Sequence, residues 1–582
     1  MCGIFGYVGA STQIAPMVAA ALRTMEYRGY DSWGIGWDDG TSLACLKGEG
    51  RVPAEMPHAP RSGLALGHTR WATHGVVCAE NAHPHVDCTG RIGVVHNGVI
   101  ENVVALRSGL DAGHAHRSQT DSEVVAHLVE TEVARGASLA AGVAEVFRRL
   151  DGTNAIVVCD RETGEIAAVT SRSPLRLGRA DGAWYLASDP LALTGLTEEV
   201  AVIPDHALLS LSRSGAALSD LASGDLLPLE WSGIPKEDTV ALGEFVHFTD
   251  KEIHEQPGVI RRLIDRAEDV RPLVELIRAS RHIVLTGCGS AHYAATVGVE
   301  WLKTCTDAWI DVLPASELDA HARNLGEQTL LIALTQSGET ADVVDAIHVA
   351  RGWGARTVAL VNTMTSTVTR MVDVVVPLLA GTERSVLATK SFMAMLTRTL
   401  QVSGMLREPT GSGQYDLARA VPVLEAMLDC EAIHDVAARI GTADHVLTLG
   451  KGIGHKVALE AALKVKEGSY VHAEAFLTGE LKHGPLALVA PGMPCVLFST
   501  SPVETTAARI ASHEIMSRGG YTVGIGGFAE SDCSLVVSVP DLGMATALIE
   551  VGFAQRIAYE VARHRGVDPD YPRNLAKSVT VR

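Results

Sequence analysis

Leu285-Thr286-Gly287-Cys288-Gly289 and Thr448-Leu449-Gly450-Lys451-Gly452 end two short apolar runs, His282–Thr286 and His445–Leu449, and each leads into a helical pattern. A β-branched run that stops at glycine and passes directly into a helix is half of a strand–helix–strand unit, whose strands lie parallel. Thr329–Leu334 and Thr357–Val361 continue the first series; Cys495–Ser499 and Tyr521–Ile525 continue the second. Two copies of one α/β unit are therefore expected, with ligands at the carboxyl ends of their strands. Upstream the pattern changes, with β-rich runs at Ile4–Val8, Arg91–His96, Asn154–Cys159 and Trp184–Ala187 among short polar turns. The charged stretch Leu226–Glu244, with Pro228 and Pro235, reads as a linker between the halves.

A chain of 582 residues exceeds a single hydrophobic core, and three units are expected. With 47% hydrophobic and 20% charged residues, general disorder is excluded. The net charge of -19 opposes non-specific binding to nucleic acid or anionic membranes, so an anionic substrate needs a local site. No apolar run approaches the roughly 20 residues that span a bilayer, and the chain opens on Cys-Gly rather than a leader, so a cytoplasmic protein is expected. The ten cysteines form no CxxC pair, which calls for neither a zinc ribbon nor a disulfide framework.

Three places carry chemistry. A small second residue favours removal of Met1, which leaves Cys2 holding a thiol and an α-amine; with a pKa of about 7.7–8.0 that amine can accept the thiol proton, directly or through water. Thr335-Gln336-Ser337-Gly338-Glu339-Thr340 joins an apolar run to a helical pattern, so hydroxyls and free N–H groups converge as they do in anion sites; a plain N-cap fits the same residues. On a helix read from Val457 onward, Glu460, Lys464 and Glu467 share one face, for which a solvated charged stripe is the ordinary explanation.

The opening MCGIFGY, HTRWATHG at His68–Gly75, HNGVIEN at His96–Asn102 and SQTDSEVV at Ser118–Val125 together resemble the N-terminal-nucleophile glutamine amidotransferases. The resemblance implies that Arg70 takes the glutamine α-carboxylate and Asp121 its α-ammonium, with Thr73 and His74 completing the pocket. It also implies that Asn97 and Gly98 form the oxyanion hole and that Trp71 gates an ammonia passage. Taken singly, Asn97-Gly98 is also a hairpin dipeptide, Arg70 a surface ion pair and Trp71 a core residue. An SGGxDS pyrophosphate segment and a phosphoribosyl-binding strand are both missing, so the second half decides the acceptor.

There, ALEAALKVKEGSYVHAEAFLTGELKHGP at Ala458–Pro485 and NLAKSVTV from Asn574 extend the resemblance to the glucosamine-6-phosphate synthase family, the isomerising glutamine:fructose-6-phosphate aminotransferases. The family implies an α/β multidomain chain: an N-terminal-nucleophile αββα sandwich glutaminase at 1–225 and a linker at 226–255. Two flavodoxin-like parallel α/β sugar isomerase (SIS) domains follow at 256–425 and 426–572, then a catalytic tail at 573–582. It implies that Lys577 forms a Schiff base with the open ketose, His483 opens the sugar ring, Glu467 carries a proton between C1 and C2, and Lys464 assists electrostatically. The sugar phosphate is expected at Ser290, Thr335, Gln336, Ser337, Thr340, Val386 and Ala576. The implied partners are L-glutamine, a ketose phosphate (fructose 6-phosphate favoured) and a second copy in a homodimer. No metal or organic cofactor is expected, because the imine is itself the electron sink.

Ala291 and Ala388 stand where the family carries hydroxyls, Thr335 replaces a serine, and Trp33 replaces a smaller residue. A neutral hydrogen bond is worth about 0.5–1.5 kcal/mol, so two losses can weaken sugar binding about tenfold. That leaves open a paralogue aminating another keto-sugar in secondary metabolism. A non-reacting sugar sensor is disfavoured by the full set of reactive groups, and an autonomous glutaminase is distinguished by its indifference to sugar.

Overall fold

The apolar runs near the amino terminus become central strands of two antiparallel sheets stacked face to face. A computed structural model describes residues 2–56, 62–234, 241–408 and 412–579. The chain divides into two units, one built from residues up to 236 together with those from 576 onward, the other from residues 237 to 575.

In the first unit an eight-stranded sheet places Gly3–Ser11 between Ala183–Ala187 and Ser62–Arg70, and a seven-stranded sheet pairs Ile92–Gly98 with Asn154–Asp160. Alternation along each strand builds the layers. Ile4 and Val8 turn inward to meet Val95 and Val157 of the facing sheet. Phe5 and Tyr7 point outward to helix Ile14–Thr24. On the far side, Val94, Ile156 and Val158 pack under helices Glu123–Ala134 and Leu139–Arg148. The result is an αββα sandwich. Trp33 is accommodated because Gly48 stands opposite it; a Cβ there lies 2.9 Å from the indole.

The second unit contains two five-stranded parallel sheets with the same strand order. The first runs Trp309–Pro314, His282–Gly287, Thr329–Thr335, Arg356–Val361, Val374–Pro377; the second runs His472–Leu477, His445–Gly450, Pro494–Ser499, Tyr521–Gly526, Leu535–Ser538. Both have the order 2-1-3-4-5 of flavodoxin-like sheets.

The stretch 226–255, expected as a linker, differs. Leu226–Leu227 pairs with the strand Gly215–Asp220, Trp231–Gly233 pairs with Glu199–Val202, and Phe248–His254 is helical. Strands of two and three residues leave no periodicity to read. Residues 235–240, Pro235 among them, lie outside the described residues. The tail expected at 573–582 is also divided: Ala576 and Lys577 belong to the first unit, where Lys577 N donates to Tyr27 O at 3.1 Å. Residues 580–582 lie outside the described residues.

Candidate functional site

In the first unit Cys2 precedes the central strand of one sheet, while Asn97 and Gly98 end a central strand of the other. Stacking the sheets brings these ends together. Trp71 N donates to Cys2 Sγ at 3.3 Å and Asn97 Nδ2 donates to Cys2 O at 3.0 Å. Packing around the sulfur pushes the Cys2 thiol up; the amino-terminal charge, the Trp71 N–H and Arg70 pull the other way. Met1, whose removal supplies the expected α-amine, lies outside the described residues.

Asn97 is oriented by histidines that the sequence reading passed over. His68 Nε2 lies 3.0 Å from the carbonyl of His96, which can only accept, so Nε2 carries the proton; Asn97 Oδ1, 3.1 Å away, accepts as well. That fixes the amide with Nδ2 toward the sulfur side. Burial lowers the His68 pKa to about 3, so the ring is a neutral donor. His83 stacks on it at 4.1 Å, and burial also drives His83 and His85 well below the usual range. His96 spans Ser122 Oγ at 2.8 Å and Asn154 Oδ1 at 2.9 Å. Gly98 ends the strand at φ 146, and a Cβ there falls 2.1 Å from Thr153 O, so only glycine fits.

Arg70 is buried and bonds the carbonyls of His74, Gly75 and Val76, which curls the segment after Trp71 around the guanidinium. Asp121 accepts from Ile100 N at 2.8 Å and lies close enough for its charge to act on Arg70, as do Cys2 and Asp31. Asp31 also anchors the loop by accepting from Ala72 N at 2.8 Å; its signal was present in YRGYDSWG, between Trp33 and the expected thiol. Thr73 and His74 are exposed and meet each other at 3.3 Å, and Trp71 is half-buried. The structure thus gathers Cys2, Asn97, Gly98, Arg70 and Asp121 and leaves Thr73 and His74 at the rim.

In the second unit helix Gly452–Ser469 buries its charged face. Glu460 and Lys464 are each only 1% exposed, which rules out a solvated stripe. Lys464 Nζ lies 2.5 Å from Glu467 Oε2 and 3.7 Å from Glu460 Oε1. Ser290 Oγ donates to Glu460 Oε1 at 3.1 Å, so this expected phosphate ligand also contacts the carboxylate array. Burial, reinforced by Glu467, raises the Glu460 pKa to about 8 against the pull of Lys464. Glu460 is then a neutral acid beside an ion pair, a role that the shared helix face alone does not assign.

Thr335 closes strand Thr329–Thr335, and its hydroxyl accepts from Gly338 N at 3.1 Å. Ser337 Oγ accepts from Glu339 N at 3.2 Å, Gln336 O accepts from Asn362 N and Thr363 N at 3.3 Å each, and Thr340 caps helix Ala341–Gly352 by position without a side-chain bond. Gly338 has φ 65 and no room for a Cβ, which would lie 2.1 Å from Ser366 Oγ. Val386 N donates to Asp570 O at 3.3 Å. Glu383 supports the same segment by accepting from Thr389 N and Ser391 N at 3.0 Å each, and its charge acts on Lys464. His483 sits exposed on a 3-10 turn. Ala576 and Lys577 belong to the other unit and are half-buried there.

The glutamine amidotransferase domain family matches residues 68–195, and the SIS domain family matches residues 276–403 and 440–535. A glutamine–fructose-6-phosphate aminotransferase (isomerizing) of Halobacterium salinarum is 37% identical over 607 residues, covering 100% of both chains. One of the same name from Methanothermobacter thermautotrophicus is 36% identical over 601 residues, again covering 100% of both. The chain belongs to this aminotransferase family. The C-terminal domain of glucosamine-fructose-6-phosphate aminotransferase from Francisella tularensis superposes with a TM-score of 0.53 at 25% identity, covering 57% of this chain and 100% of that one. Membership of the aminotransferase family accounts for both units at once, the αββα sandwich and the paired parallel sheets. Among the described residues no helix is long and apolar enough to cross a membrane.

Proposed function

We propose that the protein takes the amide nitrogen of L-glutamine and transfers it to fructose 6-phosphate, yielding glucosamine 6-phosphate and glutamate, the entry step of amino-sugar synthesis. The observation that carries the reading is one chain holding both a thiol beside an oriented amide donor and a buried Glu460–Lys464–Glu467 array. The full-length relatives, all named for that acceptor, favour fructose 6-phosphate over another keto-sugar.

Glutamine binds with its α-carboxylate on Arg70 and its α-ammonium on Asp121. The Cys2 thiol passes its proton to the α-amine as sulfur attacks the amide carbon. Asn97 Nδ2 and the Gly98 N–H receive the oxyanion, ammonia departs, and water releases glutamate from the thioester. In the sugar half the phosphate rests on the 335–340 turn, where a helix N-terminus supplies positive potential, and on Ser290 and the segment around Val386. His483 opens the ring by moving a proton to its oxygen. Lys577 condenses with the C2 carbonyl, releasing water, and ammonia displaces the lysine from that carbon. Glu467 then carries a proton from C1 to C2 while the C1 hydroxyl proton passes to the nitrogen, which leaves the aldose amine. Lys464, paired with Glu467, assists electrostatically. The assembly proposed is a cytoplasmic homodimer.

The decisive experiment is mass spectrometry of the sugar product formed from amide-labelled glutamine and fructose 6-phosphate. The label is expected in glucosamine 6-phosphate, absent with Cys2→Ala, while Lys577→Arg fails to capture ketose on borohydride reduction. Glutamate release without label in any sugar overturns the reading.

A further inference from the structure

Away from the thiol, three segments of the first unit turn four metal-type donors onto one point. Cys88 lies in the turn between strands His85–Val86 and Ile92–Gly98, His114 lies in the connection after helix Val103–Ser108, and His127 and Glu130 stand one turn apart on helix Glu123–Ala134. Cys88 Sγ is 3.5 Å from His127 Nδ1 and 3.7 Å from His114 Nδ1. Glu130 Oε2 is 3.1 Å from His114 Nδ1 and 3.3 Å from His127 Nδ1. All four ligand atoms lie within 4.8 Å of one another.

These four separations match four of the six edges of a coordination tetrahedron. With metal–sulfur bonds of about 2.3 Å and metal–nitrogen or metal–oxygen bonds of about 2.0–2.1 Å, tetrahedral angles give sulfur–nitrogen edges of about 3.6 Å and nitrogen–oxygen edges of about 3.3 Å. Both imidazoles present the same nitrogen, and each has an oxygen near its other one: Thr131 Oγ1 is 3.3 Å from His114 Nε2, and Glu123 Oε1 is 3.8 Å from His127 Nε2. An outer oxygen such as Thr131 Oγ1 can orient a metal-bound histidine.

We propose that Cys88, His114, His127 and Glu130 bind one zinc-like divalent cation in a closed, four-coordinate structural site. Thiolate, two imidazoles and a carboxylate suit zinc better than calcium or magnesium, which take oxygen. Cys88 is exposed, which gives the ion an entry path. The ion ties the 111–117 connection to the helix that follows. Glu123, beside His127, holds the same connection by accepting from Arg117 N and Ser118 N at 2.7 Å each, just before Asp121. The site therefore steadies the approach to the glutamine-binding loop without touching the reacting atoms.

The test uses full-length protein. Metal analysis of the purified chain should find about one zinc per chain, and cobalt substituted for it should show a thiolate-to-metal charge-transfer band together with intense tetrahedral visible bands. Both signatures should be retained in Cys2→Ala and fall to background in Cys88→Ser and in His114→Asn, with circular dichroism verifying that each variant is folded. Absence of zinc and of tetrahedral cobalt binding in the parent, or a charge-transfer band that persists in folded Cys88→Ser, overturns the proposal.

Discussion

Replacing Asn97 with aspartate keeps the shape of the side chain and removes its donor. In the resting structure Nδ2 bonds Cys2 O at 3.0 Å while Oδ1 takes the His68 proton at 3.1 Å. An aspartate retains the His68 contact and has no N–H for the oxyanion. Loss of one such donor costs about 2.7–4 kcal/mol in the transition state, a fall of about 10²–10³ in kcat for glutamine hydrolysis. The ground-state substrate binds mainly through Arg70 and Asp121 in the proposed mechanism, so KM for glutamine should change less than about threefold. Glutamate release measured at saturating fructose 6-phosphate reports the first quantity, and calorimetric binding of fructose 6-phosphate, in which Asn97 has no part in the proposed mechanism, should be unchanged. A variant that keeps kcat within about fivefold refutes the oxyanion role. A proportionate loss of sugar affinity shows instead that the substitution damaged the fold.

Two further outcomes follow from the second unit. Glu460 has a folded-state pKa raised to about 8, above its unfolded value, so the native protein holds a proton that the unfolded chain releases. Its stabilising contribution is complete below the unfolded pKa and declines as pH climbs toward 8. Glu460→Gln, which mimics the neutral acid, should gain stability relative to the parent between pH about 5 and 8, by up to about 1.4 kcal/mol per pH unit in denaturant unfolding; parallel curves for the two proteins sink the argument. Gly338→Ala places a Cβ 2.1 Å from Ser366 Oγ at φ 65 and should raise KM for fructose 6-phosphate by about tenfold, the equivalent of about 1.4 kcal/mol of loop strain. Adding Ser366→Gly should restore part of it, and no restoration places the cause elsewhere.

Strand positions were legible where burial on both faces left an unbroken apolar run. His282–Gly287, Thr329–Thr335 and Tyr521–Gly526 coincide with the expected runs to within one residue. In the two parallel sheets the strands passed over are the edge strands: Trp309–Pro314 and His472–Leu477 carry polar or exposed residues that break the run, and Val374–Pro377 and Leu535–Ser538 are four residues long. In the site, Cys2, Arg70, Asn97 and Asp121 were legible because each sits in a local motif with its own chemistry. The stacked His68 and His83 were not, since a buried neutral histidine and a surface one are spelled alike. Cys88, His114 and the His127–Glu130 pair likewise come from three segments with no ligand spacing, so only the fold brings them together.

The repeated α/β unit explains where the buried carboxylates come from. Ser290 opens the first helix of the first copy, and Glu460 lies on the first helix of the second, so equivalent helices of the two copies meet face to face through a 3.1 Å bond. Each helix already packs its inner side on its own sheet, and mutual packing removes water from the side that would otherwise be solvated. A glutamate on that seam cannot keep its charge cheaply, and with Lys464 already 2.5 Å from Glu467, the proton stays on Glu460. The neutral carboxyl of Glu460 beside the Lys464–Glu467 pair is therefore a consequence of packing the second copy's helix against its counterpart in the first.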